Sequence, residues 1–265
     1  MRSCIVCYSK LSYFGKTNNF KILRCSKCGL GVTENTLSQG RQYHRDEIYI
    51  GEEEFFNNIF LKRVNIISKF SKPGKVLEVG CSTGLMLALL KELRWKVKGV
   101  EISHQAAFVA GNKGIDVIED YFEKVNFTEK FDMVVFNHTL EHLQEPILII
   151  KKTKKITKNG GLIYVDLPNF GSLSARFFKT SWSLLLPNEH IWHFTYESLK
   201  ILLQKNGFKV IFVERSSGIW NSQNPLIEIW LSLTNFKKRF FNQILTAIPS
   251  LIVSKLGQGS DLMVI

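Results

Sequence analysis

The feature that most constrains how this chain can fold is a strand, a small-residue turn and a helix that follow one another directly. Val76–Val79 is apolar except for Glu78, the turn over residues 80–84 reads GCSTG, and an apolar helical pattern continues over Leu85–Leu93. In open α/β sheets a tight glycine turn leads from a buried strand into the helix that covers the sheet. The segment therefore predicts one β–α unit of a Rossmann-like sheet.

The same alternation continues along the rest of the chain. The predicted strands are Lys75–Val79, Lys96–Val100, Asp116–Ile118, Phe131–Phe136, Gly161–Asp166, Lys209–Glu214 and Asp261–Ile265. The predicted helices are Leu85–Leu93, His104–Asn112, Pro146–Thr157 and Tyr196–Asn206, with a further helical pattern over residues 55–67. Alternating strands and helices predict an α/β fold with a mostly parallel sheet and helices on both faces. Residues 218–257 predict a helical insertion before the last strand.

Four of the five cysteines have a regular spacing near the N-terminus. Cys4 and Cys7, and then Cys25 and Cys28, form two Cys-x2-Cys pairs separated by 17 residues. That spacing is typical of a structural Cys4 zinc site, in which four thiolates leave no coordination position for catalysis. A segment this short buries little apolar surface, so zinc would supply its folding free energy. We predict a zinc ribbon over residues 1–36 and a second domain over residues 37–265.

The charge of the chain is concentrated in particular segments. The chain has 35 basic and 23 acidic side chains, a net charge of +12, and residues 1–45 hold eight basic groups and one acid. Affinity for a polyanion would therefore belong to single segments. No apolar leader precedes Cys4 and no apolar run could cross a bilayer, so we expect a cytoplasmic location. Residues 218–257 contain the basic cluster Lys237-Lys238-Arg239, and the segment either caps the functional site or contacts the inner membrane face.

The turn after the first predicted strand indicates a bound nucleoside. Gly80 and Gly84 allow the backbone to approach a ligand at the helix N-terminus. Glu101 follows Gly80 by 21 residues, at the end of the next predicted strand, where a carboxylate can accept hydrogen bonds from both hydroxyls of a ribose. The turn lacks the middle glycine of the dinucleotide fingerprint. Geometry alone does not separate a dinucleotide from another adenosine cofactor.

These residues resemble the E/D-x-G-x-G-x-G motif of class I S-adenosylmethionine (SAM)-dependent methyltransferases, with Ser82 in place of the second glycine. Further segments are similar to the same family: residues 130–134 (KFDMV), 138–143 (HTLEHL) and 159–163 (NGGLI). Residues 167–169 (LPN) with 187–195 (PNEHIWHFT) resemble a branch common in bacterial cell-surface polysaccharide clusters, many of whose members begin with a Cys-x-x-Cys ribbon. The resemblance covers nearly the whole chain.

The resemblance implies a set of cofactor-binding residues. Glu78 and Gly80 would border the methionine end of SAM, Glu101 would bind the ribose, and Ile102 would pack on the adenine. Asn137 would lie at the sulfonium end, and the loop that contains Tyr121 and Phe122 would flank the adenine. The remaining positions of the turn are Cys81, Ser82 and Gly84. We expect Cys81 to be a small packed residue, because no base is placed beside its thiol.

Histidines are the candidate catalytic residues on the acceptor side. His138, Glu141 and His142 follow the fourth predicted strand of the sheet, and His190 and His193 follow the fifth. Two roles remain open beside a purely structural one. In the first, His190 or His142 is a general base, an arrangement that resembles some sugar C-methyltransferases. In the second, Glu141, His142 and His190 bind a divalent ion, an arrangement that resembles small-RNA 3′-terminal 2′-O-methyltransferases and polyprenyl-catechol O-methyltransferases.

The aromatic residues near these histidines have two interpretations. Trp182, Trp192 and Phe194 either form a wall on which a sugar stacks or belong to the core.

The resemblance implies methyl transfer to a small or sugar-containing acceptor, phosphorylated or lipid-linked, with oxygen as the expected atom. Two alternatives remain: an RNA-modifying methyltransferase that uses the basic ribbon, and a non-catalytic zinc-ribbon adaptor. The scattered aromatic residues of the ribbon are not the pattern of a single-strand binder, which makes nucleic acid the weaker hypothesis.

Overall fold

A computed structural model of the chain describes residues 2–17, 19–34, 53–235 and 245–265. Its main feature is a sheet of seven strands. They are β4 (Lys75–Val79), β5 (Lys96–Glu101), β6 (Asp116–Glu119), β7 (Phe131–Asn137), β8 (Thr157–Pro168), β10 (Val213–Ser216) and β11 (Asp261–Val264). The strand order is β10-β11-β8-β7-β4-β5-β6, and β11 runs antiparallel to both of its neighbours. The predicted α/β class and the seven-stranded sheet are confirmed.

Helices cover the sheet and connect its strands. They are α1 (Glu53–Phe70), α2 (Leu85–Glu92), α3 (His104–Asn112), α4 (Pro146–Ile156), α5 (Leu173–Phe178), α6 (Tyr196–Lys205), α7 (Pro225–Asn235) and α8 (Ala247–Lys255). Capping explains several of their boundaries. The Ser103 hydroxyl accepts from the Ala106 N–H at the start of α3, and Thr195 and Ser198 form a reciprocal capping box at the start of α6.

Strand order fixes where a ligand can bind. From β4 the chain proceeds outward through β5 and β6, then crosses back to β7 on the other side of β4. The crevice between the carboxyl ends of β4 and β7 is therefore the switch point at which open α/β sheets bind their ligands. Val79 pairs with Phe136, so Gly80 and Asn137 emerge side by side at this edge.

A second sheet is built largely from the N-terminal residues. It contains β1 (Leu11–Thr17), β2 (Phe20–Cys25), β3 (Gly31–Glu34) and β9 (Trp192–His193), in the order β1-β2-β3-β9. The last of these strands comes from the segment between α5 and α6, and Gly31 pairs with His193. The hydroxyl of Thr195 donates to the Cys28 carbonyl at 2.7 Å. The N-terminal sheet is thus completed by a strand from the opposite half of the chain.

Two strands begin at a different residue in the structure from the one predicted. β8 begins at Thr157 and not at Gly161, because Thr157 already pairs with Phe131 of β7. The pairing of β7 with β8 has an irregularity between Phe131 and Met133 and is regular after it. Gly160 has φ +76°, a conformation that glycine adopts without strain, so the irregularity does not end the strand. β10 begins at Val213 and not at Lys209, because Val213 pairs with Val264 and β11 ends there.

The core occupies both faces of the seven-stranded sheet. Trp182, Trp192 and Phe194 are all buried, and the indole N–H of Trp192 donates to the Leu143 carbonyl at 2.8 Å. Of the two interpretations of these rings, the core position is the one observed. Cys81 is likewise buried, as expected for a packed thiol.

The helical insertion before β11 is present as α7 and α8. Trp230 on α7 and Ile248 on α8 are exposed, at 66% and 73%. The basic cluster Lys237-Lys238-Arg239 lies outside the described residues, as do residues 35–52, which precede α1. In the described part of the chain, no helix combines the length and the apolar character that crossing a membrane requires.

Candidate active site

The turn after β4 is shaped for close approach of its backbone. Gly80 and Gly84 have φ of +71° and +74°, and Ser82 also has a positive φ, of 46°. A Cβ atom on Gly80 would lie 2.7 Å from the hydroxyl oxygen of Thr139, so a larger residue would displace the chain that follows β7. Glycine at position 80 therefore satisfies both the backbone conformation and the limited space.

Glu101 organises this turn from the end of β5. Its Oε2 accepts from the Ser82 N–H at 2.8 Å, and its Oε1 accepts from the N–H groups of Ile102 and Ser103 at 2.8 and 2.9 Å. The side chain is 7% exposed. Each carboxylate oxygen has further lone pairs, so Glu101 can hold the turn and accept from the hydroxyls of a ribose.

Glu78 is a buried carboxyl with unused hydrogen-bonding capacity. Within residues 2–17, 19–34, 53–235 and 245–265, its Oε2 has no hydrogen-bond partner, and the same is true of Oδ1 of Asn137. Burial and the nearby charge of Glu101 raise the pKa of Glu78 to about 8, and Arg63 opposes this increase. Two unpaired acceptors beside the glycine turn fit the ammonium group of an amino-acid moiety.

Arg63 is a residue of this site that the sequence analysis missed. It lies on α1, is buried, and forms an ion pair with Asp166 on β8. Its Nη1 has no hydrogen-bond partner among the described residues, so the guanidinium can also bind a carboxylate. The signal was present: Arg63 interrupts the apolar stripe of Phe60, Val64 and Ile67, where a cation is costly unless it is paired.

The predicted adenine loop is split between core and surface. Phe122 is 2% exposed and packs against Phe127 and Phe136, with ring centroids 5.9 and 6.1 Å away. Tyr121 is 42% exposed, and the ammonium of Lys124 lies 4.8 Å from its ring centroid. Of the two rings, Tyr121 is the one that faces solvent.

Glu141, His142 and His190 are brought together beside the end of β7. One ligand atom from each lies within 4.8 Å of the others. The imidazole rings of His142 and His190 are edge to face, with centroids 4.8 Å apart. Nδ1 of His142 lies 3.0 Å from the Glu189 carbonyl, which fixes that nitrogen as the donor and leaves Nε2 as a base or a metal ligand.

The carboxylate of Glu141 is buried among imidazoles. It is 1% exposed, neither oxygen accepts a hydrogen bond from a described residue, and Nδ1 of His138 lies 3.5 Å from Oε1. Burial alone would raise the pKa of Glu141, but His138, His142 and His190 outweigh it and lower the pKa to about 2. A buried carboxylate that accepts no hydrogen bond from the described residues, with the imidazoles of His142 and His190 in reach, is a donor set that suits a divalent cation.

His193 has a structural environment. It is buried in β9, and its Nε2 lies 2.7 Å from the Thr33 hydroxyl of β3. Burial and the charge of His190 lower the pKa of His193 to about 3, although the charge of Glu141 opposes this decrease. The ring is therefore neutral at physiological pH and joins the two halves of the N-terminal sheet.

The four N-terminal cysteines form one cluster. Their sulfur atoms all lie within 4.8 Å of one another, with Cys4 and Cys28 at 3.6 Å and Cys7 and Cys25 at 3.3 Å. All four are free thiols. Tetrahedral zinc–thiolate bonds place sulfur atoms about 3.8 Å apart, so the donor set fits zinc.

Three comparisons with known proteins bear on this chain. An uncharacterized protein of Methanocaldococcus jannaschii is 29% identical over 122 residues, which cover 46% of this chain and 58% of that protein. A ubiquinone biosynthesis O-methyltransferase of Glaesserella parasuis is 28% identical over 107 residues, 36% of this chain and 45% of that protein. The chain thus spans about half the length of these curated relatives.

A crystal structure of a SAM-dependent methyltransferase from Archaeoglobus fulgidus superposes with a TM-score of 0.57 at 19% identity, over 82% of this chain and 97% of the other. That likeness confirms the fold. The family described as "Methyltransferase domain" matches residues 53–213, which include the glycine turn, Glu101 and the histidine cluster. This match extends over more than half of the chain, and the protein therefore belongs to the methyltransferase-domain family.

Proposed function

We propose that the protein is a SAM-dependent methyltransferase that acts on a hydroxyl of a small or sugar-containing acceptor. The observation that carries the proposal is the set of groups at the carboxyl ends of β4 and β7. There the glycine turn, the carboxylate of Glu101 and the unpaired acceptors of Glu78 and Asn137 match the ribose and amino-acid ends of SAM. Arg63 would bind the methionine carboxylate through its unpaired Nη1.

Bound SAM would supply an electrophilic methyl group on a sulfonium. The protein then has to align the acceptor oxygen with that methyl group and exclude water, and orientation of this kind contributes about 7–11 kcal/mol. His142 and His190 lie beyond the end of β7, on the side from which an acceptor would approach. Nε2 of His142 can take the hydroxyl proton, because the Glu189 carbonyl occupies Nδ1.

A divalent ion at Glu141, His142 and His190 is a second candidate for this role. The observation in its favour is the Glu141 carboxylate, which is buried and accepts no hydrogen bond from a described residue. An ion held there would lower the pKa of an acceptor hydroxyl. The same three side chains would then serve as ligands, with His142 oriented by the Glu189 carbonyl.

Substitution of the histidines tests this role. We expect His142→Ala and His190→Ala each to reduce kcat by about 10²–10⁴-fold while S-adenosylhomocysteine binds with unchanged affinity by calorimetry. His104→Ala is the matched control, because His104 is an exposed histidine that pairs with Glu119 and lies outside the cluster of Glu141, His142 and His190. Labelled SAM with extract fractions of lipid, nucleotide sugar, polysaccharide and nucleic acid identifies the acceptor. If both histidine variants retain full turnover, neither role holds.

Chelation distinguishes a general-base role of His142 from a divalent ion bound at Glu141, His142 and His190. If a divalent ion acts at the cluster, activity falls after treatment with EDTA and returns with added Mg²⁺. If His142 is the base, added Mg²⁺ does not change the rate, and any activity lost because EDTA removes zinc from the four cysteines is not restored by Mg²⁺.

We further propose that Cys4, Cys7, Cys25 and Cys28 hold a structural zinc ion. The arrangement of the four sulfur atoms supports this. Purified protein should contain one zinc per chain by mass spectrometry, and Cys7→Ser should lose it. Ser9→Ala is the matched control for a change in the same loop. A zinc content near zero in the wild-type protein would refute the proposal.

A further inference from the structure

The two helices inserted before β11 place polar residues inward and large apolar residues outward. A helix that packs on a protein core normally buries its apolar stripe and exposes its polar face. α7 and α8 both contact the short helical turn Gly218–Asn221, and both show the reverse of this pattern. Their outward faces therefore need an explanation other than packing within the chain.

α7 is anchored through an acid. Glu228 is fully buried, and one of its oxygens accepts from the side-chain amide of Asn58 on α1. The same amide donates to the Asn224 carbonyl, just before α7, at 3.1 Å. Leu226 and Trp230 are four residues apart, on one face of the helix, and are 72% and 66% exposed. α7 thus presents a carboxylate to α1 and apolar side chains to the solvent.

α8 is anchored through small residues. The indole N–H of Trp220 donates to the Ala247 carbonyl at 2.8 Å. Ser250 is buried, and a Cβ atom on Gly218 would lie only 3.2 Å from its hydroxyl oxygen. The large aliphatic side chains that recur at every fourth position are instead exposed: Ile248, Ile252 and Leu256. Residues with this spacing form one stripe along the helix.

α5 adjoins the end of α8 and adds an aromatic side chain. The Leu173 N–H donates to the Gln258 carbonyl at 3.1 Å, and the Arg176 guanidinium bonds the Gln258 side chain. Phe177, at the end of α5, is 78% exposed. Exposed apolar residues that cluster in this way mark interaction sites more often than single ones do. We call the following residues the apolar surface: Phe177, Leu226, Trp230, Ile248, Ile252 and Leu256.

The charges exposed on the same helices are positive. Within the described ranges of α5, α7 and α8, the exposed charged side chains are Arg176 and Lys255, and the one acid, Glu228, is buried. In the sequence, residues 236–244, which lie outside the described ranges, add three cations and no acid. Apolar residues accompanied by cations complement a bilayer with anionic headgroups. A second copy of the chain, related by a two-fold axis, would instead bring the same cations towards each other.

We propose that α5, α7 and α8 bind the surface of an anionic lipid bilayer, with the apolar surface in the headgroup region and Arg176 and Lys255 paired with lipid phosphates. Trp230 suits this position because an indole ring has both an apolar body and a polar N–H group. Membrane binding of this kind is independent of the proposed methyl transfer, and its measurement requires neither SAM nor an acceptor.

Co-sedimentation of the full chain with vesicles tests the proposal. The vesicles contain phosphatidylcholine alone or an equal mixture of phosphatidylcholine and phosphatidylglycerol. We expect tighter binding to the mixed vesicles, which weakens as the salt concentration increases. Leu226→Gln and Ile248→Gln should each weaken this binding about tenfold, because each removes an aliphatic side chain from the bilayer. Phe108→Gln is the matched control.

Phe108 is 64% exposed on α3, which packs against β6, whereas α8 contacts β10 at the opposite edge of the sheet. Phe108→Gln should therefore bind the vesicles as the wild-type protein does. Arg176→Gln and Lys255→Gln should each weaken binding to the mixed vesicles about fivefold. Lys96→Gln, which removes an exposed cation at the start of β5, is the control for charge and should not weaken it.

Three results would overturn the proposal. The first is a wild-type protein that does not bind the mixed vesicles, or apolar variants that bind them as the wild type does while circular dichroism shows folded proteins. The second is equal binding to both kinds of vesicle, which would exclude a role of the anionic headgroups. The third is a dimer in analytical ultracentrifugation that Ile248→Gln dissociates, without vesicle binding, since the apolar surface would then join two copies of the chain.

Discussion

Replacement of Glu101 by glutamine tests the cofactor site most directly. Glutamine keeps the size of the side chain but removes its charge and exchanges one acceptor oxygen for an NH2 donor. In the wild-type protein the two oxygens accept from the N–H groups of Ser82, Ile102 and Ser103. In the variant, at least one of these donors loses its acceptor, and the charge-assisted hydrogen bonds become neutral.

The structure sets the size of the expected effect. A hydrogen bond to a charged group contributes about 1.5–3 kcal/mol, and the ribose would lose at least one such bond in the variant. Since 1.4 kcal/mol corresponds to about a tenfold change in affinity, we expect SAM and S-adenosylhomocysteine to bind about 10–150-fold more weakly. The turn over residues 80–84 also loses the acceptor that holds Ser82, which adds to this loss.

Calorimetric titration with S-adenosylhomocysteine measures the change. Glu119→Gln is the matched control, because Glu119 pairs with Glu101 in register on the adjacent strand but is exposed and bound to His104. The control should bind as the wild-type protein does. If Glu101→Gln binds S-adenosylhomocysteine with wild-type affinity while circular dichroism shows a folded protein, Glu101 does not contact the cofactor.

Two further predictions concern the buried charges. The pKa of Glu78 is raised to about 8, so its contribution to stability is complete below about pH 4.5 and is lost as the pH rises through 8. Glu78→Gln should therefore flatten the dependence of Tm on pH between pH 5 and pH 9. Parallel curves of Tm against pH for the wild-type protein and the variant would contradict this. Arg63→Met leaves Asp166 buried without its cation and should reduce the free energy of unfolding by about 3–5 kcal/mol in urea titrations. Adding Asp166→Asn to this variant should recover part of the lost free energy. An unchanged free energy of unfolding in Arg63→Met alone would contradict the reasoning.

Local sequence signals predicted most of the elements that position the site. The turn over residues 80–84, the acid at position 101 and the helix that begins at His104 all depend on neighbours in the sequence, and each was predicted close to its observed place. The gathering of Glu141, His142 and His190 was predicted only through a family resemblance, because no local pattern specifies contact between residues about 50 positions apart.

Other features depend on tertiary contacts that a single sequence does not encode locally. β9 has two residues, and its pairing with β3 follows from packing around His193 and Thr33. Arg63 was overlooked because the helical pattern of apolar residues shows only that a polar residue interrupts it. The pattern does not show that Asp166, on a distant strand, pairs with this arginine. Phe122 was assigned to the cofactor loop, and its burial depends on Phe127 in the same connection between β6 and β7 and on Phe136 of β7.

The participation of β9 in the N-terminal sheet has a consequence for how the protein folds. Thr33 and His193 are 160 positions apart in the sequence. This sheet therefore cannot be completed until the chain through β9 has been synthesised and β9 has been brought to β3. Contacts of such large sequence separation form slowly. A metal can bind the four cysteines within the first 28 residues much earlier. Folding of the N-terminal sheet would thus start at the metal site and finish where β9 docks, and a nascent chain would expose the edge of β3 until then.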